Sequence, residues 1–228
     1  MNLKIAIAQI PSTPGRIREN TELIISKIRI AKSKKASLVV FPELSIPGYL
    51  LMDLCFNQSF LDEQRSAIER IALETNGIGV ILGYVRESSN QRPGGRRSLY
   101  NSAAFINNGK FEGFQDKILL PDYDIFDEHR YFLSGEEPRI FSLNGKKIGI
   151  AICEDLWQKG YKQNPLADLK ALGAELLVNI SASPFEIGKF EERYRVVSDA
   201  VSSYGLPLVY TNLIGSFDGF DGEVVFDG

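Results

Sequence analysis

Apolar, β-rich runs of strand length alternate along this chain with stretches of helical period, and that alternation leaves few architectures open. Leu3 to Ile10 sets Leu3, Ile5 and Ile7 against Ala6 and Ala8 and predicts a buried strand. From Ile17 to Ala31, the residues Ile17, Ile24, Ile28 and Ala31 share one face of an amphipathic helix. Leu38 to Phe41 predicts a second buried strand, stopped by Pro42. Asn57 to Thr75 reads as a helix with Phe60, Ala67, Ile68 and Ile71 facing inward. Gly79 to Val85 and Tyr100 to Ile106 read as strands, and Asn107-Asn108-Gly109 as a hairpin turn into Lys110 to Gln115. A second hairpin joins Arg139–Leu143 to Lys147–Ile152 around Asn144-Gly145. A helix near Leu166–Leu172, a strand Leu176–Ile180, a helix Glu191–Tyr204 and a strand Leu208–Asn212 follow. Gly-rich turns and a last strand, Glu223–Phe226, close the chain. The pattern is α/β, with antiparallel hairpins inserted into mixed sheets that helices cover. The polar stretch Ser88 to Arg97 predicts an exposed, mobile hairpin connection with solvated arginines.

Composition removes whole classes of function. A length of 228 residues suits one large domain, and 44% hydrophobic with 24% charged residues supplies an ordinary core. A net charge of −3 gives no basic field for nucleic acid or an anionic membrane. Cys55 and Cys153 are too few for a disulfide scaffold and form no CxxC pair. With His129 as the single histidine, zinc sites of the HExxH or Cys2His2 kind are excluded. The N-terminal apolar run is short, alternating and broken by Gln9 and Pro11, unlike a signal peptide. No run approaches the roughly 18 apolar residues of a membrane span. A cytoplasmic enzyme or binding domain is expected.

Three reactive side chains each follow an apolar strand or hairpin, where α/β folds present functional groups. Glu43 lies just past the Leu38–Phe41 strand, where a partly desolvated carboxylate can serve as a general base. Lys117 follows the Lys110–Gln115 strand and precedes Ile118-Leu119-Leu120, a setting for an ammonium that steadies an oxyanion. Cys153 ends the run Ile148–Ile152 and precedes Glu154-Asp155. At such an exit the thiol meets backbone N–H groups that lower its pKa and bind an oxyanion. Taken singly, each has a bland alternative: a solvated glutamate, a surface lysine, a packed cysteine. Taken together, base, cation and thiol make a complete amide-hydrolysing set that needs neither histidine nor metal.

The segments FPELSIPGY (41–49), KILLPDY (117–123) and GIAICEDLW (149–157) together resemble the nitrilase superfamily of carbon–nitrogen hydrolases. KIAIAQI at the N-terminus and LLVNISASPF (176–185) fit as well. The branch most similar is the glutaminase domains of glutamine-dependent NAD synthetases, through LPDYDIFDEHRYF (120–132), CEDLW (153–157), NISASPFEIGKFEER (179–193) and FDGEVVFDG (220–228). The resemblance implies a four-layer αββα sandwich of two mixed sheets. It implies Glu43 as general base, Lys117 as catalytic lysine, Cys153 as nucleophile and Glu128 as a second, supporting glutamate. It places the glutamine-binding positions on Tyr123, Ser183 and Lys189, with Ser181 two residues from Ser183. Glu154 is a candidate for the substrate α-amine, and Tyr49 for the pocket wall near Glu43.

The same resemblance implies a partner domain. Full-length members carry an ATP-using synthetase domain with an SGG-type phosphate loop, and no such loop, GxxxxGK[ST] or GxGxxG exists here. Residues 1–228 are therefore expected to be one amidase domain of a longer chain, with ATP and Mg confined to the missing domain and no cofactor in this one. The expected partners are L-glutamine, that synthetase domain and a second copy of the chain, with no nucleic acid and no membrane. Two other readings stand beside this one: a free-standing amidase for another small ω-amide or carbamoyl compound, and a non-catalytic interaction domain that keeps the fold. Cys55 reads as a packed thiol and His129 as a loop-ordering residue. Trp157 either walls the pocket or packs behind Cys153.

Overall fold

The computed structural model describes residues 3–91, 97–219 and 222–228. One sheet runs in the order β1 (Ile5–Ile7), β2 (Leu38–Val40), β3 (Gly79–Gln91), β4 (Arg97–Asn107), β5 (Lys110–Asp116). Its first three strands are parallel, and β4 and β5 continue it as antiparallel neighbours. A second sheet runs β6 (Ile140–Leu143), β7 (Lys146–Ile152), β8 (Leu176–Ser181), β9 (Leu208–Asn212), with β6 antiparallel and the others parallel. β10 (Ile214–Asp218) and β11 (Glu223–Asp227) form a separate hairpin.

Side-chain alternation along the strands builds three apolar layers between four structural ones. Leu38, Val40, Ile81 and Phe105 on one face of the first sheet meet Ile148, Ile150, Ile152, Val178 and Ile180 of the second. The opposite face of the first sheet, with Val39, Val80, Leu82 and Ala104, packs on α1 (Ile17–Ser33) and α2 (Gln58–Leu73). The predicted faces hold: Ile24, Ile28 and Ala31 of α1 and Phe60, Ala67 and Ile71 of α2 are buried. Ala151 and Leu177 of the second sheet turn outward onto α4 (Pro165–Ala171) and α5 (Lys189–Tyr204). The result is the αββα sandwich, with mixed sheets as expected.

Three expectations need correction. The first strand covers only Ile5–Ile7 and is a sheet edge, with Ile7 half-exposed, because β2 pairs with only one side of it. The stretch Ser88–Arg97 begins and ends as strand, pairing Ser88 with Ser98 and Gln91 with Arg97, and Arg97 meets Glu87 at 2.8 Å. Residues 92–96 lie outside the described residues, as do Met1, Asn2, Phe220 and Asp221. The Gly-rich region after Asn212 holds a strand, β10, whose pairing with β11 supplies what its own sequence does not advertise. The segment around Glu128 contains a single helical turn, α3 (Glu128–Tyr131).

Candidate active site

Strands β2 and β5 point the same way, because β4 runs opposite to both β3 and β5, so their exits lie on one edge of the first sheet. Glu43 leaves β2 in a tight turn that carries Leu44 at φ 46°. Gly83 of β3 makes room for it: a Cβ there would stand 2.0 Å from Leu44 N and 2.6 Å from the Glu43 carbonyl carbon. Ser45 Oγ accepts from Gly83 N (3.1 Å), and Ile46 N donates to Gly83 O (3.0 Å), which locks the turn. Lys117 follows β5 directly, its N–H bonded to Asn101 O (2.8 Å) and its carbonyl to Gly135 N (2.7 Å). Cys153 leaves β7 at φ 44°, a left-handed conformation that costs a non-glycine residue about 1–3 kcal/mol, and it opens a 3-10 turn over Cys153–Leu156. Asn179 Nδ2 donates to the Cys153 carbonyl (3.4 Å) and helps hold that turn.

Side chains from these exits converge. Lys117 Nζ donates to Glu43 Oε1 (2.8 Å) and to Glu128 Oε1 (2.9 Å). Asn101 Nδ2 donates to Glu43 Oε1 (2.7 Å), and Ala182 N, beyond β8 of the other sheet, donates to Glu43 Oε2 (2.9 Å). Tyr49 OH donates to Glu128 Oε1 (3.1 Å), so Tyr49 reaches the cluster through Glu128. Glu43, Lys117, Glu128 and Cys153 are all less than 5% exposed.

Burial on this scale dominates the electrostatics. It works to lower the Lys117 ammonium, but the Glu128 and Glu43 carboxylates outweigh it and hold the pKa well above the ordinary value. Burial pushes Glu128 up to about 7, with Lys117 pulling down and Glu43 pushing up. The Cys153 thiol is also pushed well up, first by burial and then by Glu43, with Lys117 opposing. The expectation that the strand exit lowers the thiol's pKa is therefore reversed. In the resting site the thiol keeps its proton, because a thiolate would be dry and would face Glu43.

The residues expected to bind substrate make specific contacts. Glu154 accepts from Tyr123 OH at Oε2 (2.8 Å) and from Tyr161 OH at Oε1 (2.9 Å). Burial raises its carboxyl and the two phenols oppose that. Ser183 is buried, its N–H bonded to Asn212 Oδ1 (2.8 Å) and its Oγ accepting from Arg193 Nε (3.3 Å). Ser181 turns instead to Asn179 Oδ1 (2.7 Å). Lys189 is ion-paired with Glu192 (3.1 Å) and lies 4.8 Å over the Trp157 ring. Trp157 thus supports Lys189 while also packing on the core beneath α4 and α5. Cys55 is fully buried, and His129 lies on the helical turn α3 rather than in a loop, half-exposed and 3.5 Å from Asp122.

Several members of the site were not singled out beforehand. Asn179 interrupts the apolar run Leu176–Ile180, a signal that was available, whereas Asn101 lies in a strand that already carries Ser98 and Ser102. Asp155 was noted only as an acid after the cysteine; it accepts from Ile118 N (3.0 Å), Leu119 N (2.8 Å) and Ile152 N (2.9 Å). Tyr161 and the backbone N–H of Ala182 carry no spacing signal at all. Among the described residues no cluster of histidine, cysteine or carboxylate side chains is arranged to hold a metal ion.

Residues 4–203 match the carbon–nitrogen hydrolase family. The chain belongs to that family. Among curated relatives of the family member described here, the glutamine-dependent NAD(+) synthetase of Synechocystis sp. is 38% identical, over 98% of this chain and 41% of its own length. The solved structure of a glutamine-dependent NAD+ synthetase from Acinetobacter baumannii superimposes with a TM-score of 0.87 at 34% identity, over 99% of this chain and 40% of that one. An amidase of the nitrilase superfamily from Nesterenkonia AN1 shares the fold, with a TM-score of 0.82 at 22% identity over 99% of this chain and 80% of that one. The chain thus spans about two fifths of the length of the synthetases it matches.

Proposed function

We propose that this carbon–nitrogen hydrolase domain hydrolyses the side-chain amide of L-glutamine through a cysteine thioester. The observation that carries the reading is a buried thiol within the electrostatic reach of Glu43, which itself receives the Lys117 ammonium, Asn101 and the Ala182 N–H. Glu43 takes the Cys153 proton as the sulfur bonds to the amide carbon, so the thiolate never stands free in the dry site. Lys117 and the Glu154 N–H receive the oxyanion. Glu43 passes the proton to the leaving nitrogen, the C–N bond breaks and ammonia departs. Water then gives a proton to Glu43 and its oxygen to the thioester carbon, releasing glutamate and restoring the thiol. Glu128, held by Tyr49, keeps Lys117 in place. Ser183 and Tyr123 line the bound glutamine, Lys189 pairs with its α-carboxylate, and Glu154, oriented by two phenols, faces its α-amine.

The larger reading takes residues 1–228 as a single glutaminase domain and follows from the synthetase relatives. In a longer chain, acting in the cytoplasm, the ammonia passes to an ATP- and Mg-using synthetase domain that amidates nicotinic acid adenine dinucleotide to NAD. The glutaminase chemistry itself calls for no cofactor. Exposed Phe185, Ile187, Phe190 and Tyr194 suit association with a second copy, which sedimentation analysis tests. Among the described residues no helix is long and apolar enough to cross a membrane.

The test of the chemistry compares two cysteines. Cys153→Ala is expected to lower glutamine hydrolysis at least about a thousandfold, while Cys55→Ala leaves most of it. Equal loss in both rejects the nucleophile assignment. An electrophilic glutamine analogue that leaves no adduct on Cys153 points to a non-catalytic domain. Faster turnover of other small amides than of glutamine points to a free-standing amidase.

A further inference from the structure

We infer that Asp155 is a positioning residue, whose carboxylate ties the backbone just after Lys117 to the backbone just before Cys153 and so fixes how the ammonium meets the thiol. The inference rests on the catalytic reading above for the roles of those two residues. Lys117 leaves the five-stranded sheet and Cys153 the four-stranded one, and between them lies an apolar layer. Apolar packing is non-directional, so it holds the sheets together without setting their register to a fraction of an ångström. Chemistry needs that register, since a misplacement of about 1 Å costs a rate factor near 100.

Asp155 supplies direction. Its Oδ1 accepts from Ile118 N at 3.0 Å and from Leu119 N at 2.8 Å, the two residues following Lys117. Its Oδ2 accepts from Ile152 N at 2.9 Å, the residue preceding Cys153. All four residues are less than 5% exposed, so water does not compete. Burial pushes the Asp155 carboxyl up to about 7, and the three backbone N–H donors pull it back down, so they offset part of the cost of burying the charge. The fork also explains why the residue is an aspartate. Both oxygens must accept, and an asparagine would aim N–H at N–H on one side. The Ile152 bond also closes the turn that holds Cys153 at positive φ.

The test uses the whole chain with Asp155→Asn and Asp155→Glu, and reads kcat and KM for glutamine, the rate of Cys153 alkylation by iodoacetamide, and urea unfolding. Asp155→Asn is expected to fold, to lower kcat about 100-fold with KM within about threefold, and to change the alkylation rate about tenfold or more. A purely structural role would leave each folded molecule with wild-type alkylation and turnover, and that result overturns the proposal. If Asp155→Asn does not fold, Asp155→Glu decides: a folded variant with low kcat supports the tie, and one with wild-type kcat overturns it. Failure of both to fold makes Asp155 a folding determinant and also overturns it. Absence of glutamine hydrolysis in the wild type would sink the catalytic reading instead, while the alkylation comparison still decides the Asp155 tie.

Discussion

Glu43, Lys117 and Glu128 sit behind the surface, each 1–3% exposed, and are pinned by backbone groups and one another. Around them, half-exposed Tyr123, Tyr161, Lys189 and Trp157 come from loops and helix ends and meet mostly through side chains. Under the proposed mechanism the inner group bears charges that must not move during a proton transfer, which suits their burial and over-determination. Under the same mechanism the outer group has to admit and release a solute, which suits its partial exposure. Substitutions should therefore separate: inner ones reduce turnover and stability together, outer ones mainly weaken substrate binding.

The largest effect belongs to Lys117→Met. It removes the one cation between two buried carboxylates and leaves them facing each other without compensation. Breaking such a cluster costs about 3–5 kcal/mol, so urea unfolding should shift markedly as glutamine hydrolysis falls at least about a thousandfold. Unchanged stability would mean that the inner cluster is not over-determined as described. Gly83→Ala comes next. The added methyl meets the Glu43–Leu44 backbone at 2.0–2.6 Å, and backbone has no rotamer with which to evade it. Displacement of Glu43 by about 1 Å should lower kcat about 100-fold, with KM changing little.

Gly83 also shows why some of the site was illegible. The strand–exit pattern made Glu43, Lys117 and Cys153 visible one by one, because each follows an apolar run that is local in sequence. The two sheets and their helical covers were legible for the same reason, since periodicity is local. Gly83 matters through its approach to the Glu43–Leu44 turn, about 40 positions earlier in the chain, and nothing nearby marks it. Ala182 contributes a backbone N–H, which no residue type reveals. The Cys153 pKa was misjudged because the strand exit suggested N–H dipoles, while the dominating influences, burial and Glu43, arise only once both sheets close over the thiol.

Glu128→Gln probes the inner group more gently, and through pH. Folding raises the Glu128 carboxyl from an ordinary 4.5 to about 7, so the folded protein holds this proton more tightly than the unfolded chain does. Its contribution to stability is then complete in acid and is lost as pH rises through that interval, by up to about 3 kcal/mol. Urea unfolding of the wild type should lose that stability relative to Glu128→Gln between mildly acidic and neutral pH. Glutamine turnover in the variant should fall about tenfold, because Lys117 keeps Glu43 and a neutral acceptor at Glu128. Parallel stability curves for the two proteins would remove the charge argument for the inner group.

Tyr161→Phe is the mildest change and the sharpest test of the outer group. It deletes one phenolic O–H from Glu154 Oε1 and leaves Tyr123 on Oε2. Glu154 keeps its position through backbone and one phenol, but it loses a donor that opposes the burial-driven rise of its carboxyl. One hydrogen bond to a charged acceptor is worth about 1.5 kcal/mol, so KM for glutamine should rise about tenfold while kcat stays within about twofold. Initial-rate kinetics over a wide glutamine range read both quantities at once. A fall in kcat with KM unchanged would move Tyr161 and Glu154 into the inner group, and the division between a rigid charged interior and an adjustable rim would have to be redrawn at Glu154.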